Sequence, residues 1–493
     1  MPADAWTRYA RAVDSLELGY LPATEALALF RARELSPVEV LEAQIARAAI
    51  VEPVINAFSA TCFDEARAAA RVAEARHADG RARPLEGLTV GVKETMGVAG
   101  QVTTHGSLVH RDDPPAARSH PLVERLQDAG AIVHARTTSP EFACAWITAT
   151  RLNGITRTPW DPQYTCGGSS GGSGASLAAG TSTLATGSDI GGSIRSPAAA
   201  CGVVGFKPPY GRNPEAAPAN LDPYEQVGPL ARTVADCALV QNVVAGVHPH
   251  DIATLRQRVR LPLQPAGIDG FRVAWTLDVG NGVVAPEVEA ETHAALAALE
   301  SAGARVEEVR LGWGDEVTIA AKAYLDHLFG RSFARICERH PDLVCDYTAW
   351  YAERAGTCDQ ELFLWTFEVA ARMYDTVGPL LERYDALVCP TFVTHEIRAD
   401  AMPWETVTVR GRTMPCDYEP SLMHQWNMLS RLPVLAVPAG ISPNGLPVGI
   451  QIIARSYDDA RVFRVGAALE RQRPWLDAPE RRPAAVGPLA RGD

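Results

Sequence analysis

The sequence predicts an α/β protein, a β-sheet with helices packed on it. Three observations point there. Short apolar runs fit for buried strands recur along the chain, helix-patterned stretches lie between them, and turn residues separate the two. At 493 residues, 47% hydrophobic and 21% charged, the chain is long enough to bury a large core.

Residues 1–80 read as helices. Ser36-Pro37-Val38-Glu39 is a capping box with proline at the first helical position, and Leu41, Ile45 and Ala48 follow at helical spacing. Leu88 to Val92 is a short strand run with Lys93 at its end. A helix over Pro121 to Asp128 stops at Gly130, and Ala131 to Ala135 is the next strand. Ala175 to Ala179 is helix-forming, and Gly202 to Phe206 returns to apolar residues. Later strands are expected at Phe271–Trp275, Ala304–Val309 and Ala386–Pro390, with a helix over Pro286–Ser301. Val434–Val437 and Val448–Ile453 pair across the turn residues Pro443-Asn444-Gly445. The expected division is an N-terminal helical segment over 1–80, a catalytic domain over 81–472 and a loosely held C-terminal tail over 473–493.

A formal net charge of −12 argues against a nucleic-acid partner, since phosphate binding needs a basic face. No apolar run reaches the ~20 residues of a membrane helix, and Met1 to Glu17 lacks the order of a secretory leader. The expected location is the cytoplasm. Ten scattered cysteines without a C-x-x-C pair read as reduced thiols. His395-Glu396 begins like a zinc-protease motif but lacks the second histidine.

The residues from 158 to 205 are dominated by Gly and Ser. A flexible linker would not be interrupted by core-type segments. A phosphate-binding loop needs Lys directly after its last Gly, and none follows. Gly167-Gly168-Ser169-Ser170-Gly171 fits a nucleophile elbow, yet the elbow must follow an apolar strand, and two prolines precede it here. The third reading joins both clusters and Lys93 into one site.

That reading carries a resemblance. Val90-Gly91-Val92-Lys93-Glu94, the Gly-Gly-Ser-Ser-Gly-Gly at 167–172 and Asp189-Ile190-Gly191-Gly192-Ser193-Ile194-Arg195 resemble the amidase signature family. Gly202 to Pro208, Tyr210-Gly211-Arg212 and Leu446 to Gln451 follow in family order. The similarity runs from about residue 24 to 472. It implies one mixed sheet covered on both faces by helices, with Ser193 as nucleophile, Ser169 as a bridging serine after a cis peptide, and Lys93 as base. No metal or cofactor is implied. The implied substrate is a small-molecule amide, anilide, carbamate or ester; a homodimer stays open, and neither nucleic acid nor membrane is expected as a partner.

The chemistry suits these residues. Lys93 accepts a proton only when neutral, which requires its pKa to fall by roughly three units, about 4 kcal/mol, through burial. Backbone amides of Ile190, Gly191, Gly192 and Ser193 are expected to hold an oxyanion, because the two glycines leave them unshielded. Asp189 and Arg195 read as a structural pair. Cys144 aligns near the acyl pocket, where a packing thiol is the competing reading; Ser170 is a second candidate for substrate contact.

Glu94 stands where the family usually has Asp, Ser188 where Thr is common, Pro209 where Thr is usual and Cys166 where Pro is frequent. None removes a reacting group. The segment 313–420, rich in aromatics such as Trp350, Tyr351, Trp365, Phe367 and Trp404, is expected to cap the site and to favour an apolar or aryl substrate, unless the rings fill the core. The main expectation is thus a stand-alone amidase. The alternative is an A-type component of a glutamine-dependent tRNA amidotransferase that delivers ammonia to a partner.

Overall fold

The apolar runs become the strands of an 11-stranded mixed sheet in this computed structural model, which describes residues 15–280 and 282–484. In chain order the strands are β1 Phe58–Thr61, β2 Thr89–Lys93, β3 Ile132–Thr137, β4 Leu184–Asp189, β5 Val204–Lys207, β6 Gln226–Ala231, β7 Arg272–Trp275, β8 Arg305–Glu308, β9 Ala386–Pro390, β10 Val434–Ile441 and β11 Pro447–Ile453. Their spatial order is β1-β3-β2-β4-β6-β5-β10-β11-β9-β7-β8. β2 runs parallel to β3 and β4, whereas β4, β6, β5, β10 and β11 are successively antiparallel. The mixed sheet that the resemblance implies is therefore present.

Alternation along the strands places helices on both faces. Leu184, Ala231 and Leu435 belong to one apolar cluster, while their chain neighbours Ala185, Leu230 and Ala436 belong to another. On β5, a Cβ on Gly205 would meet Ala198 of helix Arg195–Cys201 at 2.8 Å. The next residue, Phe206, instead packs edge-on against Phe463 of helix Asp459–Gln472, with ring centroids 4.8 Å apart. Each face thus has its own helical cover.

The capping box at Ser36 forms: its hydroxyl accepts from Val38, and Glu39 accepts the Ser36 amide at 2.8 Å, opening helix Pro37–Ile55. Helices Pro121–Asp128 and Pro286–Ser301 match the expected spans. β10 and β11 pair antiparallel around Gly445, whose φ of 80° suits the turn.

Three features differ from the sequence reading. β1 adds an edge strand inside the N-terminal stretch read as helical. β4 and β6 were not expected, because Gly187, Gly228 and Pro229 obscure their strand character. In the expected loose tail, the described part is anchored: Trp475 donates to the Arg232 carbonyl at 2.8 Å, Arg482 pairs with Glu17 at 2.6 Å, and Leu476 is buried.

Candidate active site

Lys93 closes β2 with its side chain fully buried. Its amide donates to Thr186 Oγ1 of β4 at 3.0 Å, which fixes the strand end. Its Nζ donates to Ser169 Oγ at 2.7 Å and to Ser188 Oγ at 2.9 Å. Burial pushes the Lys93 ammonium down to about 8, against the opposing pull of Glu225, Asp189, Glu94 and Glu215. A buried lysine held by two hydroxyls can exchange a proton near neutral pH.

The two Gly/Ser clusters meet. The Gly168–Ser169 peptide is cis, and the Gly168 amide donates to Ser196 Oγ at 3.2 Å. The Ser170 amide donates to the Ser193 carbonyl at 3.1 Å, so the first cluster is clamped to the second across the sheet end. Close approach explains the glycines there. A Cβ on Gly172 would lie 2.3 Å from the Ala57 carbonyl oxygen.

Asp189 organises the Ile190–Ser193 loop. Its carboxylate accepts the amides of Gly192 at 2.8 Å and Ile194 at 3.1 Å, and pairs with Arg195 at 2.8 Å, both side chains being fully buried. Burial alone would raise this acid, but Arg195, Asn427 and Lys207 outweigh it and hold it well below its ordinary range. The structural pair read from the sequence is in place. The Gly192 amide, expected to face an oxyanion, is committed to Asp189 instead, because a buried carboxylate takes the donors within reach. The amides of Ile190, Gly191 and Ser193 have no hydrogen-bond partner among the described residues.

Ser169, Ser193, Ile190, Gly191 and Gly192 line one cavity of about 720 Å³. Its far wall comes from the 313–420 segment, chiefly helix Glu316–Arg339 with Tyr324, Phe329 and Phe333. Phe333 stacks on Phe142 at 6.0 Å and on Phe329 at 5.7 Å. Glu141 ties this cap to the body: its carboxylate accepts from the Cys345 amide at 2.7 Å and from Ser107 Oγ at 2.8 Å. Phe142 and Ala143, the next two residues, have φ of 53° and 56°, a left-handed pair that turns the Phe142 ring to the cavity. Of the five cap aromatics picked from the sequence, Tyr351 alone lines the cavity; Phe367 and Trp404 are exposed.

Cys144 lines the cavity, with its sulfur 3.9 Å from Thr348 Oγ1 and its thiol raised by burial. Ser170 does not touch the cavity. It is fully buried, its hydroxyl bonded to the Ser188 carbonyl at 3.4 Å, so it braces the loop and does not face a ligand. Cys166, behind the clamp, donates to the Gly167 carbonyl, and burial pushes its thiol up to about 12. Glu94 also turns away, accepting from the Ser139 amide at 2.7 Å and from Thr104 Oγ1 at 2.9 Å. Ser188 stands out in the sequence as a departure from the family pattern and not as a lysine partner. Its position next to Asp189 at the end of β4 is the signal that could have found it.

The family model for amidases matches residues 39–463. The chain is 34% identical to an acylamidase of Rhodococcus erythropolis, over 93% of this chain and 97% of that protein. It is equally 34% identical to the A component of the glutamyl-tRNA(Gln) amidotransferase of Thermosynechococcus vestitus, over 90% and 96%. Among solved structures it is similar to a bacterial aryl acylamidase of the amidase signature family, with a TM-score of 0.85 and 27% identity over 93% of this chain and 97% of that one. With the mixed sheet, the cis Gly168–Ser169 peptide and the Lys93–Ser169 contact already in view, these matches make the chain a member of the amidase signature family, hydrolases of amide carbon–nitrogen bonds.

Proposed function

We propose that this enzyme is a self-sufficient acylamidase that cleaves amides and anilides of apolar or aryl acids, with carbamates and esters as further substrates. Ser193 is the nucleophile, Ser169 relays protons and Lys93 is the base. The observation that carries the reading is the 2.7 Å contact between buried Lys93 Nζ and Ser169 Oγ, on the wall of the cavity that Ser193 also lines.

In this mechanism Ser193 Oγ attacks the carbonyl carbon while its proton passes to Ser169, whose own proton moves to neutral Lys93. The developing oxyanion accepts from the free amides of Ile190, Gly191 and Ser193. Collapse breaks the C–N bond, and the stored proton returns through Ser169 to the leaving nitrogen. Water repeats the sequence on the acyl-enzyme and frees Ser193. Because the leaving nitrogen receives the stored proton as its bond breaks, poor leaving groups are served. No metal or cofactor enters the scheme.

The rings of Phe142, Phe329, Phe333, Tyr351 and Tyr418 on the cavity favour an apolar or aryl moiety. The ten unpaired cysteines suit a reducing cytoplasm, and among the described residues no helix is long and apolar enough to cross a membrane. Similarity to the A components of tRNA amidotransferases supports a second reading, in which the same triad releases ammonia from glutamine for a partner. Assays of the purified chain with anilide, aliphatic amide, aryl ester, carbamate and glutamine, combined with fluorophosphonate labelling of Ser193, decide between them. Anilide turnover without glutaminase activity is expected. Glutaminase activity alone would transfer the assignment to the amidotransferase.

A further inference from the structure

The cavity is polarised. Four carboxyl-bearing residues line it, Glu215, Asp222, Glu225 and Asp326, and no Lys or Arg does. Three of the four are engaged. Glu215 is 2.6 Å from His120 Nε2, Asp222 accepts from the Tyr324 hydroxyl at 2.7 Å, and Asp326 pairs with Arg354 at 2.8 Å. The Glu225 carboxylate has neither a hydrogen bond nor an ion pair among the described residues.

Its place in the sheet puts it at the reacting loop. Asp189 and Gln226 are partners in the antiparallel β4–β6 pair, so the residue before Gln226 stands alongside Ile190, where the Ile190–Ser193 loop begins. The rings of Phe142, Phe329 and Phe333 line the same cavity. One space therefore carries aromatic rings, an acid without a hydrogen-bond donor, and Ser193.

We propose that Glu225 anchors a cationic amino group of the substrate, so that the enzyme takes amides with an apolar or aromatic end and an ammonium end. The position of the scissile bond relative to this anchor rests on the acylamidase reading above. A carboxylate turned to a partly desolvated wall without a donor is costly, and an ammonium group removes that cost by forming a charge-assisted hydrogen bond. Burial, then the neighbouring Glu215, raise the Glu225 acid, so the empty site favours its protonated form; Lys93 opposes them, and an arriving ammonium group favours the carboxylate in the same way. No hydrogen bond joins Lys93 Nζ to Glu225; its bonds go to Ser169 and Ser188.

The test uses calorimetry of the full chain with 4-phenylbutylammonium and its neutral analogue 4-phenylbutanol, so it needs no turnover. The ammonium is expected to bind about tenfold more tightly or better, with the ratio falling close to one in Glu225→Gln and partly retained in Glu225→Asp. Equal binding of the two ligands by the wild type, or an unchanged ratio in Glu225→Gln, overturns the proposal. Were Glu225 only a counter-charge for Lys93, the ratio would not move. Hydrolysis assays separate the two readings. Turnover of neutral anilides without any ammonium preference removes the Glu225 anchor alone, whereas ammonium preference without turnover leaves the anchor standing and removes the acylamidase assignment.

Discussion

Lys93 Nζ lies 2.7 Å from Ser169 Oγ, although 76 residues separate them in the chain. β2 and β4 are parallel neighbours, and the β4 end carries Ser188, the lysine's second partner, at 2.9 Å. The site is assembled at the ends of interior strands, where β2 and β4 bring Lys93 and Ser188 to the loop that carries Ser169.

The first prediction concerns pH. Burial lowers Lys93 to about 8, so the free enzyme holds it mostly protonated below that value and neutral above it. As a base it works when neutral, so kcat/KM for an anilide should rise with pH through about 8 and then level off. Lys93→Met should lower the rate at pH 7 by about 10²–10⁴ and flatten that rise. A near-wild-type rate in Lys93→Met removes the lysine from the mechanism.

Ser193→Ala should abolish turnover and fluorophosphonate labelling, while single histidine variants keep measurable activity. His105 is the sharpest case, because it lines the cavity and burial pushes its imidazole down to about 4, leaving it neutral and weakly basic. Loss of all turnover in His105→Ala, with Ser193→Ala still active, reverses the assignment.

Asp189→Asn should destabilise the fold by about 3–5 kcal/mol in chemical denaturation, since it strands a fully buried Arg195. The wild-type pair also sets an acid limit. The Asp189 acid is held well below its ordinary value, so its stabilising share is complete above about pH 4 and is lost as pH falls toward the folded value. Melts recorded from pH 6 downward should show that loss in the wild type and a weaker one in Asp189→Asn.

Two glycines should part company. Gly172→Ala places a Cβ 2.3 Å from the Ala57 carbonyl oxygen and 2.4 Å from the Thr138 nitrogen, all backbone, so soluble folded protein should be lost. At Gly191 a Cβ meets nothing within 4 Å, so Gly191→Ala should fold with an unchanged melting temperature. Its effect on kcat then reports on the loop alone.

Phe333→Ala should reduce kcat/KM for aryl-acyl substrates by at least about tenfold, and that for acetyl analogues much less, because its ring forms the cap wall with Phe142 and Phe329. Equal losses on both substrates would mean that the ring only supports the cap.

By itself the sequence determined the chemistry on offer and most of the sheet. The capping box at Ser36, the strand ending in Lys93, the β10–β11 hairpin and the two Gly/Ser clusters all depend on neighbours within a few residues, where propensity and pattern speak directly. Tertiary structure alone decided what those groups face. Gly192 gives its amide to Asp189, Ser170 turns inward to brace Ser188, the cavity rings include Phe142, Phe329 and Phe333, and Glu225 is left without a donor. Each of these depends on which distant backbone a buried group meets, and that is fixed by strand order and cap docking. β4 and β6 escaped detection for the same reason, since their Gly- and Pro-bearing segments become strands only when both edges are paired.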